Sequence, residues 1–388
     1  MICALIALFL TAVYTGLMVF FIRGAVLLGR SAPSSRNGRA GLSETDPGVP
    51  ETRPGADHRV SVIVPLRNEE AHALATLQAL SLQDYPGWWE VLCVNDRSTD
   101  RTDAILSDFC AQDPRFSLVR IPGDAPKVPS PKKRALAAGF AAARGEILMT
   151  TDADCLPPPG WLKSMAGRFA PGVGIVQGPK RIRGNGTLIS RYQEHEVFGL
   201  VSVEAATFAL SRPMIASAPS LAYRKELYEE VGGFAGLEDS VSGDDDLLVR
   251  KMQKVPRFTV AYNPSPQACV STSPVDTWMQ LLQQRARWAS NGAHYEEKGF
   301  VLLLICIYAF YCWLIAAPFL AWAGIAPWAA FWGPLGVKVA LSGIFLGLTS
   351  RTLGHRGVLR DLLWCEFLHI PIVILAVILG HLGLYRWK

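Results

Sequence analysis

The sequence has no Cys-x-x-Cys and no Cys/His cluster at zinc-binding spacing, although it holds eight cysteines. This excludes a zinc-finger module and gives no ground for a disulfide framework, so a reducing compartment suits the central part of the chain. Charge is scarce as well: Asp, Glu, Lys and Arg make up 18% of the residues, and the net charge is only +5. Lys and Arg sit beside apolar stretches and near a candidate phosphate site, not on one concentrated basic face. No nucleic-acid partner is expected. No positive charge precedes the apolar N-terminal run and no small-residue cleavage site follows it, which argues against a removable signal peptide.

What the sequence has in excess is apolar surface. Half of its 388 residues are hydrophobic, and the excess collects at the two ends. Ile2 to Ile22 is long enough to span a bilayer and is closed by Arg23, with Arg30, Arg36 and Arg39 beyond it. It reads as an uncleaved anchor with the N-terminus outside and the following segment in the cytoplasm. Phe300 to Ala323, about Ala326 to Leu348 and about Leu363 to Leu384 read as three more spans. Arg351, Arg356 and Arg360 mark a cytoplasmic loop between the last two. Lys338, inside a span, is costly unless it snorkels or faces protein. The expected division is residues 1–24 as an anchor, 25–58 as a flexible linker, 59–298 as a cytoplasmic α/β domain with an interfacial helix, and 299–388 as three transmembrane helices. Such a chain is a multi-pass protein of the cytoplasmic (inner) membrane.

Within 59–298, β-prone runs alternate with helical patterns. Val60–Pro65 reads as a buried strand, and Asn68-Glu69-Glu70 opens a helix through Leu82. Glu90–Val94 and Phe116–Ile121 are further strands, and Lys132–Arg144 is a helix leading into the strand before Asp152. Alternation of this kind means a largely parallel sheet, which binds ligands at the carboxyl ends of its strands. Asp96, Asp152 and Asp154 all fall at such ends. In an extended chain Asp152 and Asp154 point the same way and can converge on a divalent cation, a site for Mg²⁺ with substrate phosphates. Asp96 also suits a turn or helix cap. The adjacent charges of Asp244-Asp245-Asp246 repel, which suits a general base but also an acidic helix N-terminus. Glu194-His195-Glu196 lacks a second His at helical spacing and reads as a solvated or capped helix face. Tyr192, Phe198 and Phe208 around it are candidates to touch an acceptor lipid.

Val62-Ile63-Val64-Pro65-Leu66-Arg67-Asn68-Glu69-Glu70, Asn95-Asp96-Arg97-Ser98-Thr99-Asp100, Lys132-Lys133-Arg134-Ala135-Leu136 and Thr151-Asp152-Ala153-Asp154 follow in order. Tyr223-Arg224-Lys225, Gly232-Gly233-Phe234, Ser242–Leu248 and Gln284-Arg285-Ala286-Arg287-Trp288 complete the series. Together they resemble the family 2 glycosyltransferases, relatives of the cellulose, chitin and hyaluronan synthases. The resemblance implies a GT-A fold, an α/β domain with a mixed, mainly parallel sheet and helices on both faces, here joined to transmembrane helices. It assigns Pro65, Asn68, Glu69, Asp96 and Lys132 to the nucleotide-sugar donor, and Asp152 and Asp154 to the donor and its Mg²⁺ or Mn²⁺. By the same resemblance Asp245, or else Asp244, is the base: Asp stands where the family usually has the Glu of Glu-Asp, and the spacing to Leu247 or Leu248 leaves both open. Gln284, Arg287 and Trp288 line the acceptor channel near the departing diphosphate, on a helix from Asp276 to about Tyr295 that also suits the bilayer surface.

The implied activity is inverting transfer of a sugar, most simply from a UDP-sugar, to a lipid or lipid-linked glycan acceptor at the membrane. A processive polysaccharide synthase is the first alternative, and a membrane nucleotidyltransferase is an alternative of another class.

Overall fold

Alternate residues of the first strand feed two different cores. Val60, Val62, Val64 and Leu66 pack with one cluster and Ile63 with the other, the period-two signature of a sheet covered on both faces. The computed structural model describes residues 1–31, 58–125, 128–355 and 357–385. In chain order the elements are α1 (Ile2–Ser31), β1 (Val60–Leu66), α2 (Ala73–Ser81), β2 (Trp89–Asn95), α3 (Thr102–Gln112), β3 (Phe116–Arg120) and α4 (Pro131–Ala142). Next come β4 (Ile147–Thr150), β5 (Cys155–Leu156), α5 (Trp161–Ala166), β6 (Val173–Gln177), β7 (Lys180–Ile182), α6 (Leu188–Ala209), β8 (Leu221–Arg224) and α7 (Lys225–Glu230). The last are α8 (Asp246–Met252), β9 (Thr259–Tyr262), β10 (Val270–Thr272), α9 (Trp278–Ala289), α10 (Lys298–Trp322), α11 (Ala329–Leu353) and α12 (Leu362–His381).

Seven strands form the main sheet in the order β3-β2-β1-β4-β8-β6-β9. β3, β2, β1 and β4 are parallel, β8 runs antiparallel between β4 and β6, and β9 is parallel to β6. The sheet is therefore mixed and mainly parallel, with α2 and α3 on one face and α4 and α6 on the other. A small sheet, β5-β10-β7, lies beyond the end of β4.

Among the described residues, four helices are long and apolar enough to cross a membrane: Ile2–Arg30, Lys298–Trp322, Ala329–Leu353 and Leu362–His381. They share one apolar core, to which α6 contributes Phe198 and Ala206. Two glycines set close helix approaches. A Cβ on Gly24 of α1 would lie 2.3 Å from the Ala206 carbonyl of α6, and one on Gly380 of α12 would lie 2.4 Å from the Ala286 carbonyl of α9. Both α6 and α9 thus connect the sheet domain to the four long apolar helices.

Several boundaries differ from those the sequence predicts. The first helix continues past Arg23 to Ser31, so residues 25–31 are helical where a linker is expected. Residues 32–57 of that linker, with Arg36 and Arg39, and Arg356 of the C-terminal loop, lie outside the described residues. Asn68-Glu69-Glu70 does not open α2, which starts at Ala73. Asn68 adopts a left-handed φ of 54° and its backbone N–H donates to Ser98 Oγ at 3.0 Å, a geometry a helix start cannot accommodate. α9 ends at Ala289 and gives way to a 3₁₀ turn over Ser290–His294.

Candidate active site

Three consecutive basic residues in the first turn of α4 organise the site. Ser130 caps the helix and Pro131 opens it, which fixes where the next three side chains leave the backbone. The Lys132 ammonium lies 2.7 Å from Asp152 Oδ1 and 2.9 Å from Asp244 Oδ2. Lys133 donates to the Leu237 and Ser240 carbonyls at 2.8 and 2.9 Å, which holds the loop leading to Asp244. Arg134 reaches Asp96 Oδ1 at 2.5 Å. Burial opposes the charge on Lys132, but Asp152, Asp244 and Asp245 offset it and raise the ammonium above its ordinary value.

Asp96 follows β2 and is buried. Its Oδ1 accepts from Arg97 and Arg134, while Oδ2 is enclosed with no partner among the described residues. It does not cap α3, whose first residue is Thr102. Pro65 is the penultimate residue of β1. Asn68 Oδ1 accepts from the Thr99 backbone at 2.8 Å and the Glu69 N–H donates to Thr102 Oγ1 at 2.8 Å. These residues knit the loop after β1 to the loop after β2, both at carboxyl ends of parallel strands.

Asp152 and Asp154 converge, but not by strand alternation. The chain turns after Thr150, and the Cys155 N–H donates to the Asp152 carbonyl at 3.1 Å. The turn brings ligand atoms of Asp152, Asp154 and Cys155 within 4.8 Å of one another. Asp154 is the exposed member of the three, and desolvation by its surroundings together with the Asp152 charge pushes its carboxyl up. Burial keeps the Cys155 thiol protonated, so the two carboxylates are the donors suited to a hard cation.

The three aspartates at the start of α8 have separate tasks. Gly243, at φ +82°, makes the turn, and a Cβ there would lie 2.6 Å from the Leu247 side chain. Burial works against ionisation of Asp244, but Lys132 and Arg287 hold its carboxyl below the ordinary range. Asp245 caps α8, accepting from the Asp246 N–H at 2.7 Å and the Ala218 N–H at 3.0 Å. Burial and the Asp244 charge push its carboxyl up. Asp246, held by Tyr295 at 2.5 Å and Arg250 at 3.5 Å, is pushed up by burial to about 6. The cap and the base are compatible roles for Asp245, since each carboxylate oxygen keeps a lone pair.

Lys132, Asp152, Asp154, Asp244 and Asp245 open on one cavity of about 310 Å³. Its far wall is α9, where Gln284, Arg287 and Trp288 line the space and Arg287 donates to Ser242 Oγ at 3.2 Å. Trp288 has the Arg285 guanidinium 4.2 Å and the Lys180 ammonium 5.5 Å from its ring. Pro65, Asn68, Glu69 and Asp96 are not among the residues lining this cavity.

Sequence reasoning missed Arg285, Glu196 and Glu204. Glu196 is not on a solvated face: both its oxygens accept from buried Arg285, at 2.6 to 3.0 Å. Glu204 is 2% exposed, its Oε2 has no partner among the described residues, and burial raises its carboxyl to about 7. The signal that could have found it is periodicity. Gln193, Val197, Leu200 and Glu204 stand at i, i+4, i+7 and i+11 of α6, and all four line the cavity. Phe208 belongs to the core beneath the sheet and Phe198 to the core shared by the long apolar helices, so neither faces the cavity.

Comparisons with known proteins agree with this architecture. A family model described as glycosyl transferase family group 2 matches residues 147–379, and one described as glycosyl transferase family 2 matches residues 61–232. An N-acetylglucosaminyltransferase of Rhizobium meliloti (strain 1021) is 30% identical over 62% of this chain and 57% of its own length. A beta-monoglucosyldiacylglycerol synthase of Synechocystis is 29% identical over 60% of this chain and 48% of its own. The chain thus spans about half the length of these curated relatives. The mannosyltransferase PcManGT from Pyrobaculum calidifontis, solved with GDP-Man and Mn²⁺, shares the fold over 97% of this chain and 98% of its own. Its TM-score is 0.60 at 21% identity.

Proposed function

We propose that this chain, which belongs to glycosyl transferase family group 2, transfers a sugar with inversion from a nucleotide-sugar to a lipid or lipid-linked acceptor at a membrane. The observation that carries the reading is the Lys132 bridge. One ammonium ties Asp152, at the end of β4, to Asp244, beside the helix cap of α8, so donor-side and acceptor-side carboxylates share one cavity.

In this reading the loops after β1 and β2 take the nucleotide. Pro65, Asn68 and Glu69 shape the first loop, and the unpartnered oxygen of Asp96 accepts from the base or ribose. Asp152 and Asp154 fit a divalent cation: their ligand atoms lie within 4.8 Å of one another, and two neighbouring carboxylates concentrate negative charge that a cation would relieve. Mg²⁺ or Mn²⁺ held there would neutralise diphosphate charge. Asp245 is the base. Its carboxyl, lifted by burial and the neighbouring Asp244 charge, takes the proton of the acceptor hydroxyl as that oxygen attacks the anomeric carbon and the diphosphate leaves. Arg287 and Lys132 supply positive charge on the leaving-group side, and Gln284 and Trp288 form the acceptor wall.

The lipid acceptor is supported by the four apolar helices and by the similarity to a diacylglycerol glycolipid synthase. The similarity to an N-acetylglucosaminyltransferase makes UDP-N-acetylglucosamine the first donor to try. The test is the full-length protein in lipid nanodiscs with a panel of nucleotide-sugars and Mn²⁺ or Mg²⁺. Release of nucleoside diphosphate together with a singly glycosylated lipid is expected. A polymer ladder would assign a processive synthase, and pyrophosphate would assign a nucleotidyltransferase.

A further inference from the structure

α6 lines two cavities with two adjacent faces. The series Gln193, Val197, Leu200, Glu204 faces the candidate active site. The series one residue earlier, Tyr192, Glu196, Gly199 and Val203, faces a second cavity of about 230 Å³ closed by α1, α10, α11 and α12. Leu200 borders both, and the Glu196–Arg285 pair stands in the partition, with Glu196 on the second cavity and Arg285 on the first.

The second cavity has an apolar wall that includes Met18, Phe21, Ile307 and Phe345, interrupted by a small set of polar groups. The Lys338 ammonium is ion-paired with Glu366, and both are buried. Tyr14 meets Ser342 at 3.3 Å, Tyr192 meets His369 at 3.3 Å, and the enclosed Nδ1 of His195 has no partner among the described residues. Burying an ion pair among apolar helices costs several kcal/mol per ion before its attraction is counted, and well-packed apolar side chains commonly do as well. Polar groups at this depth therefore point to a polar ligand.

The fixed charges identify its class. Lys338 is balanced by Glu366 and Arg285 by Glu196, so the cavity offers no net positive charge to an anionic phosphate. Paired charges and neutral hydroxyl and imidazole groups suit hydroxyls and ester carbonyls instead. Its volume is below the roughly 300–1,000 Å³ of pockets that enclose a whole small molecule, so it fits a lipid's polar neck and not its chains.

We propose that this cavity binds the uncharged, hydroxyl-bearing head of a glycerolipid and presents that hydroxyl past Leu200 toward Asp245. The proposal rests on the lipid-acceptor reading above and adds the site and the head-group class. Gly199 gives a clean test, because a Cβ built on it meets nothing within 4 Å. Gly199→Met fills the space from a helical position without displacing the backbone.

The experiment uses the full-length protein in phosphatidylcholine nanodiscs with a diacylglycerol carrying a diazirine next to the glycerol. Crosslinks are mapped by mass spectrometry. Label is expected on α6 and on α1 near Met18 and Phe21, about tenfold reduced in Gly199→Met while nucleotide-sugar affinity is kept. Label spread evenly over the outer helix surfaces, or undiminished in Gly199→Met, overturns the proposal, as does stronger labelling by a phosphatidate of the same chains. Mapping on the wild type does not depend on the variant folding. Cavity labelling without glycolipid formation would sink the transferase reading and leave the site standing. Glycolipid formation without cavity labelling would do the reverse.

Discussion

Lys132 and Asp244 meet at 2.9 Å, and the same ammonium lies 2.7 Å from Asp152, which lines the same cavity. Lys132→Met leaves two facing carboxylates without their shared cation. Breaking a fully buried pair costs about 3–5 kcal/mol; with Lys132 partly exposed, a loss of about 1–3 kcal/mol is expected. The sign with pH follows from Asp244, whose folded carboxyl is held below its unfolded value. The stability it contributes is present above the unfolded value near 4 and is lost as pH falls through the depressed folded value. Thermal melts of wild type and Lys132→Met should therefore differ most at neutral pH and converge in acid.

Asp245→Asn removes the proposed base and leaves one amide oxygen to accept at the α8 cap, from either the Asp246 or the Ala218 N–H. Donor affinity should stay within about twofold while transfer falls by about 10² to 10⁴. Burial and Asp244 raise the wild-type carboxyl, so the acid limb of the rate should lie above the ordinary aspartate range. Asp244→Asn should shift that limb downward, because it removes the neighbouring negative charge. Initial rates against pH for the three proteins check both statements.

Glu204 is buried with its carboxyl raised to about 7, so the folded protein binds a proton there that the unfolded chain releases above about 4.5. The sign is opposite to that of Asp244. Stability should fall as pH rises from about 4.5 through 7, and Glu204→Gln should remove most of that fall. At pH 8 the variant should be more stable by on the order of 1–3 kcal/mol, and at pH 5 nearly unchanged. Melting temperatures at the two pH values decide it.

Asp154→Asn should weaken donor binding in the presence of Mn²⁺ or Mg²⁺ and leave metal-free binding little changed, because one of two anionic oxygen ligands becomes a neutral amide. Calorimetric titration with and without chelator separates the two. Equal metal enhancement in wild type and variant would remove Asp154 from the cation site.

The parts of the site visible in the sequence are those encoded by local runs. Val60–Pro65, Glu90–Val94 and Ile147–Thr150 are apolar, β-prone segments, and each is followed by the polar residues that reach the crevice. The parts that were not visible depend on contacts between distant segments. Glu196 looked solvated because its partner, Arg285, lies on another helix, and a charge with a buried partner has no local mark. The bridging role of Lys132 has no local mark either, since only the fold brings Asp244 beside it. The Asp152–Asp154 geometry was reached for a different reason from the one expected: a turn after β4 converges the side chains, not alternation along a strand. At Asn68, a left-handed residue bonded to the neighbouring loop prevented an acidic run from starting a helix.

The most direct test is the anomeric configuration of the transferred sugar. An α-linked nucleotide-sugar, the full-length protein and a glycerolipid acceptor should yield a product whose proton NMR coupling reports a β-linkage, formed one-for-one with released nucleoside diphosphate. An α-linked product would contradict single displacement assisted by Asp245 and require a second nucleophile in the cavity.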